Sequence, residues 1–460
     1  MTKPVQATDN TRKGQPRRPW PTAWLINRPF ALLFWGQAIS FIGDNLFTTT
    51  IVLWIATVLA HNQPWAPEAV SGVLVAATLP SIFVGPLAGV WVDRWGTRRV
   101  MLVADAVRAL LITSLLLLTF PLTGHSAASS TLWWPLVATY TVVFLLSSSA
   151  QFFAPARLRL MGDVVNEDDQ PRAAALLQLA STGAMILGPA LAAPLFFIVG
   201  VHVAMVLDAL SFAVSWICIL LIGAVHAART TAGMSSRTGF WRELWEGARY
   251  VARIRSLRVL VVVGIIVLAG AGAFNALNVF FVTENLRAPA SGYGYLQAVS
   301  GIGLVLGAAG ATVFANGIGP ARMFWIGVLA VGIAVLVYAQ MTTLGGGIAC
   351  ILLIGLLNAP IDAAVGPLLL QATPRALLGR VSALLGTAMS LASITSVVLA
   401  GYLTSTVLAG VVVSIAGLRL NGVSIVFTAS GVLAVGGGLY AMTGLRKRMN
   451  VASHAPLSSS

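Results

Sequence analysis

The chain has 460 residues, of which 57% are hydrophobic and only 9% are charged, and its mean hydropathy is +0.87. A water-soluble domain of this length does not tolerate such a composition, so we predict an integral membrane protein. The net charge of +14 does not indicate nucleic-acid binding, because the basic residues follow the loops on one side of the membrane.

Apolar runs of about 20 residues, the length that crosses a bilayer, occur twelve times. These predicted spans are 30–59, 70–92, 100–120, 134–154, 173–199, 203–224, 259–282, 292–315, 323–341, 346–369, 380–409 and 422–443. With the N-terminus inside, every Lys and Arg except Arg108, Arg287 and Arg419 lies in a predicted cytoplasmic segment. This asymmetry orients the chain with both termini in the cytoplasm, and we expect a multi-pass protein of the cell membrane.

The predicted organisation has five parts. They are a basic, disordered cytoplasmic tail (1–28), a first six-helix half (29–225), a cytoplasmic linker (226–258), a second six-helix half (259–445) and a cytoplasmic C-terminal tail (446–460). The first tail is polar and has no short apolar core followed by a cleavage site, so it is not a signal peptide. Residues 240–253 of the linker alternate aromatic and basic residues at helical spacing, which predicts an amphipathic helix on the inner leaflet.

Span 1 carries four polar residues on one helical face: Gln37, Ser40, Asp44 and Thr48. Asp44 lies some 14 residues into the span, about 21 Å along the helix axis. An ionisable residue at mid-membrane is costly and marks a functional candidate. Because a low dielectric favours the neutral acid, we expect Asp44 to carry the coupled proton and the four residues to line a substrate cavity. A carboxyl kept neutral for packing is the alternative.

The loop after span 2 has the pattern G-x-x-x-D-R-x-G-x-R-R. Its fixed positions are Gly89, Asp93, Arg94, Gly96, Arg98 and Arg99. This pattern resembles the signature between helices 2 and 3 of the major facilitator superfamily, which implies twelve transmembrane helices in two halves. An ordinary basic hairpin is the alternative. We expect the acid to cap a helix of the opposite half, most simply the one that starts near Arg380.

The stretch from Gly36 to Asn45 resembles helix 1 of the macrolide-efflux and enterobactin-exporter branch of that superfamily, and also helix 1 of lysophospholipid transporters. In span 3, Asp105 and Arg108 form an i, i+3 pair that neutralises itself. The same exporter branch has a similar acid–base pair, which implies that this pair supports the loop signature.

Small residues recur at helical spacing in spans 5 and 8. They include Gly188 and Pro189 in span 5, and Gly303 and Gly307 in span 8. Span 5 resembles a relaxed antiporter signature in which alanine replaces several glycines, so plain packing is also open. Stripes of this kind allow close approach of two helices, and we predict that spans 5 and 8 cross there.

Further polar residues lie in other spans. Asp208 is a shallower carboxylate in the outer third of span 6. Asn275 and Asn278 lie in span 7, and Asn358 and Asp362 in span 10, and such groups face a cavity or another helix rather than lipid. We therefore add the three asparagines to the substrate cavity and the two acids to the proton-coupling candidates, behind Asp44.

The loop after span 8 repeats the first signature at an offset of 223 residues, with Asn316 at the position of Asp93 and Arg322 at that of Arg99. The repeat indicates two related halves. The fold class predicted is thus all-α, in two pseudo-symmetric six-helix halves.

The function expected from the resemblance is export of a lipophilic or amphipathic compound, drug-like, macrolide-like or siderophore-like, in exchange for protons. A lysophospholipid flippase of the same fold is the alternative. The sequence contains neither a paired acidic motif nor an H-E-x-x-H motif, so we do not expect an enzyme. The spacing of the Cys and His residues predicts no metal or other cofactor. The expected partners are a small substrate, protons and membrane lipids, and we expect a monomer.

Overall fold

The computed structural model describes residues 25–119, 133–222, 240–374, 377–415 and 418–452. For some of these it describes the backbone alone. Those that bear on the predictions are Gly89, Asp93, Arg94, 240–244, 312–317 and 446–452. The predicted tail before residue 25 and the linker residues 226–239 lie outside the described residues.

Fourteen helices and one two-stranded hairpin make up the described chain. They are α1 Arg28–Trp54, α2 Ala66–Phe83, α3 Gly85–Trp95, α4 Thr97–Thr119, α5 Trp133–Val164, α6 Gln170–Val199, α7 Val201–Leu221, α8 Phe240–Arg253, α9 Arg255–Glu284, α10 Gly292–Ile318, α11 Pro320–Tyr338, α12 Leu344–Ala372, α13 Leu378–Tyr402, α14 Gly422–Ala452, β1 Val412–Ile415 and β2 Leu418–Asn421. Short π-helical turns extend α1 over Ile55–Leu59 and α13 over Leu403–Val407.

Twelve helices among the described residues are long and apolar enough to cross a membrane, as the sequence predicted. Many large apolar side chains on their outer faces are exposed, among them Leu117, Leu179 and Ile198. A helix that is apolar on its outer face as well as its inner face is typical of a membrane span. The chain is therefore an all-α multi-pass membrane protein.

Three spans differ clearly from the prediction, and one of them is span 12, because α14 continues to Ala452, nine residues beyond the predicted end. Span 2 is broken: α2 ends at Phe83 and α3 begins at Gly85. Pro86, in the first turn of α3, has no backbone N–H to donate to the last turn of α2, which favours a break in the helix at this point. Span 4 is longer than predicted, because α5 continues to Val164, and Arg157 and Arg159 are therefore helical rather than part of a loop.

Helices α1–α7 pack mainly on one another, as do α9–α14, and the two groups meet where α2 packs on α13 and α6 on α10. These contacts concentrate at the outer end, opposite the α3–α4 turn. A Cβ on Gly401 of α13 would collide with Ser71 of α2, and one on Gly294 of α10 with Ala193 of α6. Closer to the cytoplasm, Gly386 lies within about 60° of the Gly401 direction on α13 but has no atom within 4 Å of an added Cβ. In the predicted orientation, the two groups of helices are thus in contact at the outer end and separated toward the cytoplasm, which is an inward-open conformation.

Helix α8 forms within the predicted linker and packs on the start of α13. An added Cβ on Gly247 would lie 2.9 Å from the carbonyl oxygen of Arg380. The Arg380 guanidinium also donates to Glu246, with Nη1 and Oε2 2.5 Å apart. The antiparallel β1–β2 hairpin, which pairs Val412 with Asn421, was not predicted.

Candidate functional site

A cavity of about 220 Å³ lies within the first six spans. Its polar groups come from Asp44, Thr48 and Ser147, together with Arg108. The rest of the wall is apolar: Phe47, Ile51, Val73, Leu74, Ala77, Val143, Leu146, Ala150 and Phe212. A mainly apolar pocket with a few polar groups is the usual form of a small-molecule site.

Arg108 connects this cavity to a buried cluster of charged groups. Its Nη1 atom lies 3.9 Å from Oδ1 of Asp105, and the two side chains are 6% and 0% exposed. The guanidinium carbon lies 4.8 Å from the ring centre of Phe153 and 5.4 Å from that of Phe212. Aromatic faces at these distances attract a cation, so the rings and Asp105 together hold Arg108 at the cavity wall.

A second arginine, Arg157 of α5, approaches the cluster from the cytoplasmic side. Its Nη1 donates to Oε1 of Gln37 at 3.4 Å, and its guanidinium carbon lies 4.9 Å from the ring centre of Phe41. Gln37 in turn donates from Nε2 to the hydroxyl of Ser215 at 3.3 Å. This chain of contacts ties α5 and α7 to the polar face of α1.

Asp208 of α7 packs against α1 at Gly43. The close approach of α7 to α1 depends on Gly43, because an added Cβ there would lie 2.5 Å from Oδ1 of Asp208 and would also meet the hydroxyl of Ser211. Ser211 donates to Oδ1 of Asp208 at 3.2 Å. Oδ2 of Asp208 and both carboxylate oxygens of Asp105 have no hydrogen-bond partner among the described residues.

The cluster therefore gathers three carboxyl groups and two guanidinium groups. Its members are Asp44, Asp105, Asp208, Arg108 and Arg157, contributed by α1, α4, α5 and α7. If every group were ionised, the cluster would carry one excess negative charge. Charges this far from water are retained only where they are paired, and such pairs mark ion or proton pathways in membrane proteins.

The predicted Asp105–Arg108 pair is confirmed, but the structure corrects its surroundings. Asp208 was predicted to be a separate, shallow carboxylate, whereas it is 1% exposed and lies against Gly43, the neighbour of Asp44. Arg157 was assigned to a loop, and it is a member of the cluster. The local sequence shows only that Arg157 stands among apolar residues. Its partner Gln37 is 120 residues away in the chain, so the contact is not visible locally.

Of the seven residues predicted to line the substrate cavity, Asp44 and Thr48 do so. Gln37 and Ser40 are buried on the same helix, away from the cavity wall. Asn278 is buried as well and accepts a hydrogen bond from the hydroxyl of Tyr338 at 2.6 Å. The remaining two, Asn275 and Asn358, lie on α9 and α12 of the second group of helices, outside this cavity.

In the second group of helices, aromatic rings take the place of the charges. Phe281 lies 4.6 Å from Tyr338 and 5.2 Å from Phe427, measured between ring centres, and Phe274 stacks on Phe427 at 5.4 Å. Asp362 of α12 is exposed, and among the described residues it makes no ion pair. The structure does not bring it to the charged cluster.

The prediction that the two small-residue stripes face each other is wrong. Gly188 packs on α1, where an added Cβ would lie 2.5 Å from Cβ of Asn45, and Gly303 packs on α12, 2.5 Å from the carbonyl oxygen of Leu352. Gly307 likewise meets the backbone of Leu356. The stripes therefore serve packing inside each group.

Helices α6 and α10 do cross, but of the four stripe residues named above only Pro189 takes part. An added Cβ on Gly294 would lie 2.9 Å from the carbonyl oxygen of Pro189, and one on Gly301 would lie 2.5 Å from Ile186. Two stripes in a sequence show that close contacts exist, but not which helix makes them.

The loop signature forms a tight turn between α3 and α4. Gly96 has a φ of +81°, and Gly319, its counterpart between α10 and α11, has a φ of +75°. Arg98 donates to the carbonyl oxygens of Ile219 and Leu220 at 3.2 and 2.7 Å, which caps the last turn of α7. The side chains of Gly89, Asp93 and Arg94 lie outside the described part, so the predicted cap on the opposite half stays a prediction.

A second cavity, of about 700 Å³, lies at the outer end between the two groups of helices. Its wall includes the α1–α2 connection with His61, the end of α9 with Glu284, and Asn421 of β2. Nδ2 of Asn421 donates to Oε2 of Glu284 at 3.2 Å and to Oδ1 of Asn285 at 2.7 Å. This network joins the hairpin to α9, so the hairpin forms part of the outer closure.

Comparison with known proteins agrees with this architecture. The sequence profile of the Major Facilitator Superfamily matches residues 33–394, more than half of the chain. The chain belongs to the major facilitator superfamily. The relationship that the loop signature implied is thus confirmed, and the protein is a transporter of this superfamily.

Individual relatives within the superfamily are distant. The chain is 26% identical over 369 residues to the uncharacterized transporter YkuC of Bacillus subtilis, covering 77% of this chain and 81% of that protein. It is 24% identical over 274 residues to YfiS of the same organism, covering 60% and 61%. It is 22% identical over 235 residues to macrolide efflux protein A of Streptococcus pyogenes, where it covers 51% of this chain and spans about half, 54%, of that protein.

Solved superfamily structures share the fold. A bacterial homologue of the lysosomal transporter Spinster, crystallised in an inward-facing conformation, gives a TM-score of 0.68 at 13% identity and covers 92% of this chain and 98% of its own. A structure of the nucleoside transporter NupG gives a TM-score of 0.67 at 14% identity and covers 90% of this chain and 99% of its own. At such identities the likeness extends to the fold alone.

Proposed function

We propose that this transporter exports a lipophilic or amphipathic compound across the cell membrane in exchange for protons. The observation that supports this is the position of Asp44, which stands at the wall of a mainly apolar cavity and is one of three carboxyl groups in a cluster that holds only two guanidinium groups. The similarity to macrolide efflux protein A, though distant, favours the same class of substrate.

The cavity wall favours a lipophilic substrate. Nine of its thirteen lining residues are apolar, and its one cation, Arg108, is already engaged by Asp105 and two rings. A sugar or a phosphate needs several free donors or cations at mid-depth. An apolar body with one polar or cationic group fits this wall better.

The excess carboxyl group supplies the proton site. Two of the three carboxyl groups are balanced by the two guanidiniums, and the third alternates between an ionised and a protonated form. Of the three carboxyl groups, Asp44 is the one that lines the cavity, so a substrate that enters beside it displaces the proton. Asp208, directly behind it, is the second member, and Asp362 stays a weaker candidate on the other half.

Alternating access follows from the inter-helix contacts. The pairs α2–α13 and α6–α10 are closed at the outer end around Gly401 and Gly294. Export requires these outer contacts to open and the cytoplasmic ends to close, and in this proposal Asp93 of the signature stabilises the closed cytoplasmic end by capping a helix of the opposite half. Both termini are cytoplasmic in this scheme.

The test uses inverted vesicles that contain the protein, a fluorescent lipophilic dye and an imposed pH gradient. We expect dye accumulation driven by the gradient, with dye-induced proton release, and we expect Asp44→Asn to reduce both to background while dye binding persists. Thr48→Val is the matched control: it is the next polar residue on the same cavity wall, it carries no charge, and it should retain most of the transport.

Two outcomes would redirect the proposal. Full gradient-driven transport by Asp44→Asn would remove Asp44 as the proton carrier. Movement of spin-labelled lysophospholipid in proteoliposomes without a pH gradient, with no dye transport, would favour the lysophospholipid flippase. A drug-susceptibility panel in an efflux-deficient host then identifies the compounds exported.

A further inference from the structure

Helix α8 presents two faces of different character. The face toward the bundle carries Gly247 against the Arg380 backbone, and Tyr250, whose hydroxyl donates to the carbonyl oxygen of Ala372 at 3.4 Å. Val251 is buried on the same side. These contacts hold α8 against the end of α12 and the start of α13.

The opposite face is exposed and basic. Trp245 is 72% exposed, and Arg249, Ala252 and Arg253 are exposed as well. At 3.6 residues per turn, these four residues fall within about 100° of one another on the helix. The nearest described acid on the helix, Glu246, lies about 20° beyond Arg253 and pairs with Arg380 of α13, so the stripe formed by the four residues themselves combines one large aromatic ring with two guanidiniums.

Helix α8 is joined almost directly to a membrane-spanning helix. Only Ile254, with an extended backbone (φ −97°, ψ 111°), separates α8 from the membrane-spanning helix α9. Arg255 and Arg258 at the start of α9 are exposed too. The stripe is therefore only a few residues from a membrane span, and Trp, Arg and Lys are the residues that anchor helices at the level of the lipid headgroups.

We propose that the exposed face of α8, formed by Trp245, Arg249, Ala252 and Arg253, is a binding site for the headgroups of anionic phospholipids in the inner leaflet. The guanidiniums bind the headgroup phosphate and the indole ring lies among the upper acyl chains. The site is independent of the transported substrate. Through Glu246 and Gly247, a bound lipid also fixes the position of the cytoplasmic end of α13.

The experiment places a bimane fluorophore at Ala252→Cys in a Cys218→Ser/Cys350→Ser background. The protein is reconstituted in phosphatidylcholine vesicles, and quenching by headgroup spin-labelled phosphatidylglycerol is compared with quenching by the equally labelled phosphatidylcholine. We expect preferential quenching by the anionic lipid. Each nearby arginine contributes about fivefold in affinity for an anionic surface, so Arg249→Gln/Arg253→Gln should remove most of the preference.

The control is Arg322→Gln, which removes an exposed arginine from the start of α11 on the same side of the membrane and should leave the preference unchanged. Equal quenching by the two lipids would overturn the proposal, as would a preference that survives the double substitution. Abolition of the preference by millimolar glycerol phosphate would mean that the stripe binds a soluble anion rather than a lipid, which also contradicts the proposal. Monodisperse elution of each variant shows that it is folded.

Discussion

Charged side chains are buried, among the described residues, only in the first six spans, whereas the interior of the last six holds an amide and a phenol surrounded by aromatic rings. Among the described residues, the buried charged side chains are Asp105, Arg108 and Asp208, all in the first group of helices. The corresponding interior of the second group holds Asn278 and Tyr338.

The two halves share a fold, but their interiors are stabilised in different ways. Burying a charge costs several kcal/mol unless it is paired, so the charged half depends on a closed network of partners. The aromatic half buries large rings whose packing requires no compensation. Substitutions should therefore destabilise the charged half more, and in ways that a second, neutralising substitution repairs.

The largest effect is expected for Arg108→Gln. The substitution leaves Asp105 buried without its counter-ion, and we expect a loss of about 3–5 kcal/mol of stability, measured by thermal unfolding in detergent. Arg108→Gln/Asp105→Asn should recover a large part of this loss, because it removes the uncompensated charge. The matched control, Arg108→Gln/Asp362→Asn, neutralises a carboxyl group outside the cluster and should recover nothing. Equal recovery by both double variants would show that the cluster is not an electrostatic unit.

In the aromatic half, Tyr338→Phe should cost less, about 1–3 kcal/mol. The substitution keeps the ring among Phe274, Phe281 and Phe427 but removes the donor to Oδ1 of Asn278, whose amide is then buried with no partner. Gradient-driven dye transport should persist, in contrast to Asp44→Asn. Loss of transport with unchanged unfolding temperature would mean that the aromatic half takes part in coupling.

The sequence predicts the fold because span length and loop charge depend on local composition alone. Twelve runs of apolar residues and the positions of Gly96 and Gly319 are readable without any knowledge of contacts. The repeat of the signature is also local, and the similar positive φ values of the two glycines agree with it. What each residue contacts is a different kind of information.

The candidate site is predicted only in part for that reason. Asp44 is conspicuous because it is an acid in an apolar span. Arg157 looks like a loop residue, since its compensation by Gln37 and Phe41 comes from another helix. Gly188 predicts a close helix contact, but the sequence does not show that its partner is Asn45 of α1. Partners that lie far apart in the chain are fixed by the assembled bundle.

The paired turns offer a smaller test of the comparison. Gly96→Ala and Gly319→Ala each force a residue with a side chain into an extended backbone with positive φ (ψ 126° and 152°), which is essentially restricted to glycine and costs about 1–3 kcal/mol. Neither glycine has an atom within 4 Å of an added Cβ, so no steric term is added. We expect the two variants to lower the unfolding temperature by similar amounts. A much larger effect for Gly96→Ala would indicate that the first turn has a partner in the intact transporter that its counterpart lacks.

The smallest effect is expected for Arg98→Gln, which removes a contact that the first turn makes and the second turn lacks. Arg98 donates to the carbonyl oxygens of Ile219 and Leu220, whereas the matching position in the second half is Ala321. A cation at the last turn of a helix contributes about 0.3–1 kcal/mol, and salt screens this contribution. The variant should therefore lose a little stability at low ionic strength and almost none at high ionic strength, by thermal unfolding in detergent at both salt concentrations. Ala321→Gln, which replaces no cation, is the control and should show no salt-dependent change. A loss of stability in Arg98→Gln that is the same at both salt concentrations would mean that the side chain acts by packing on α7 rather than by its charge.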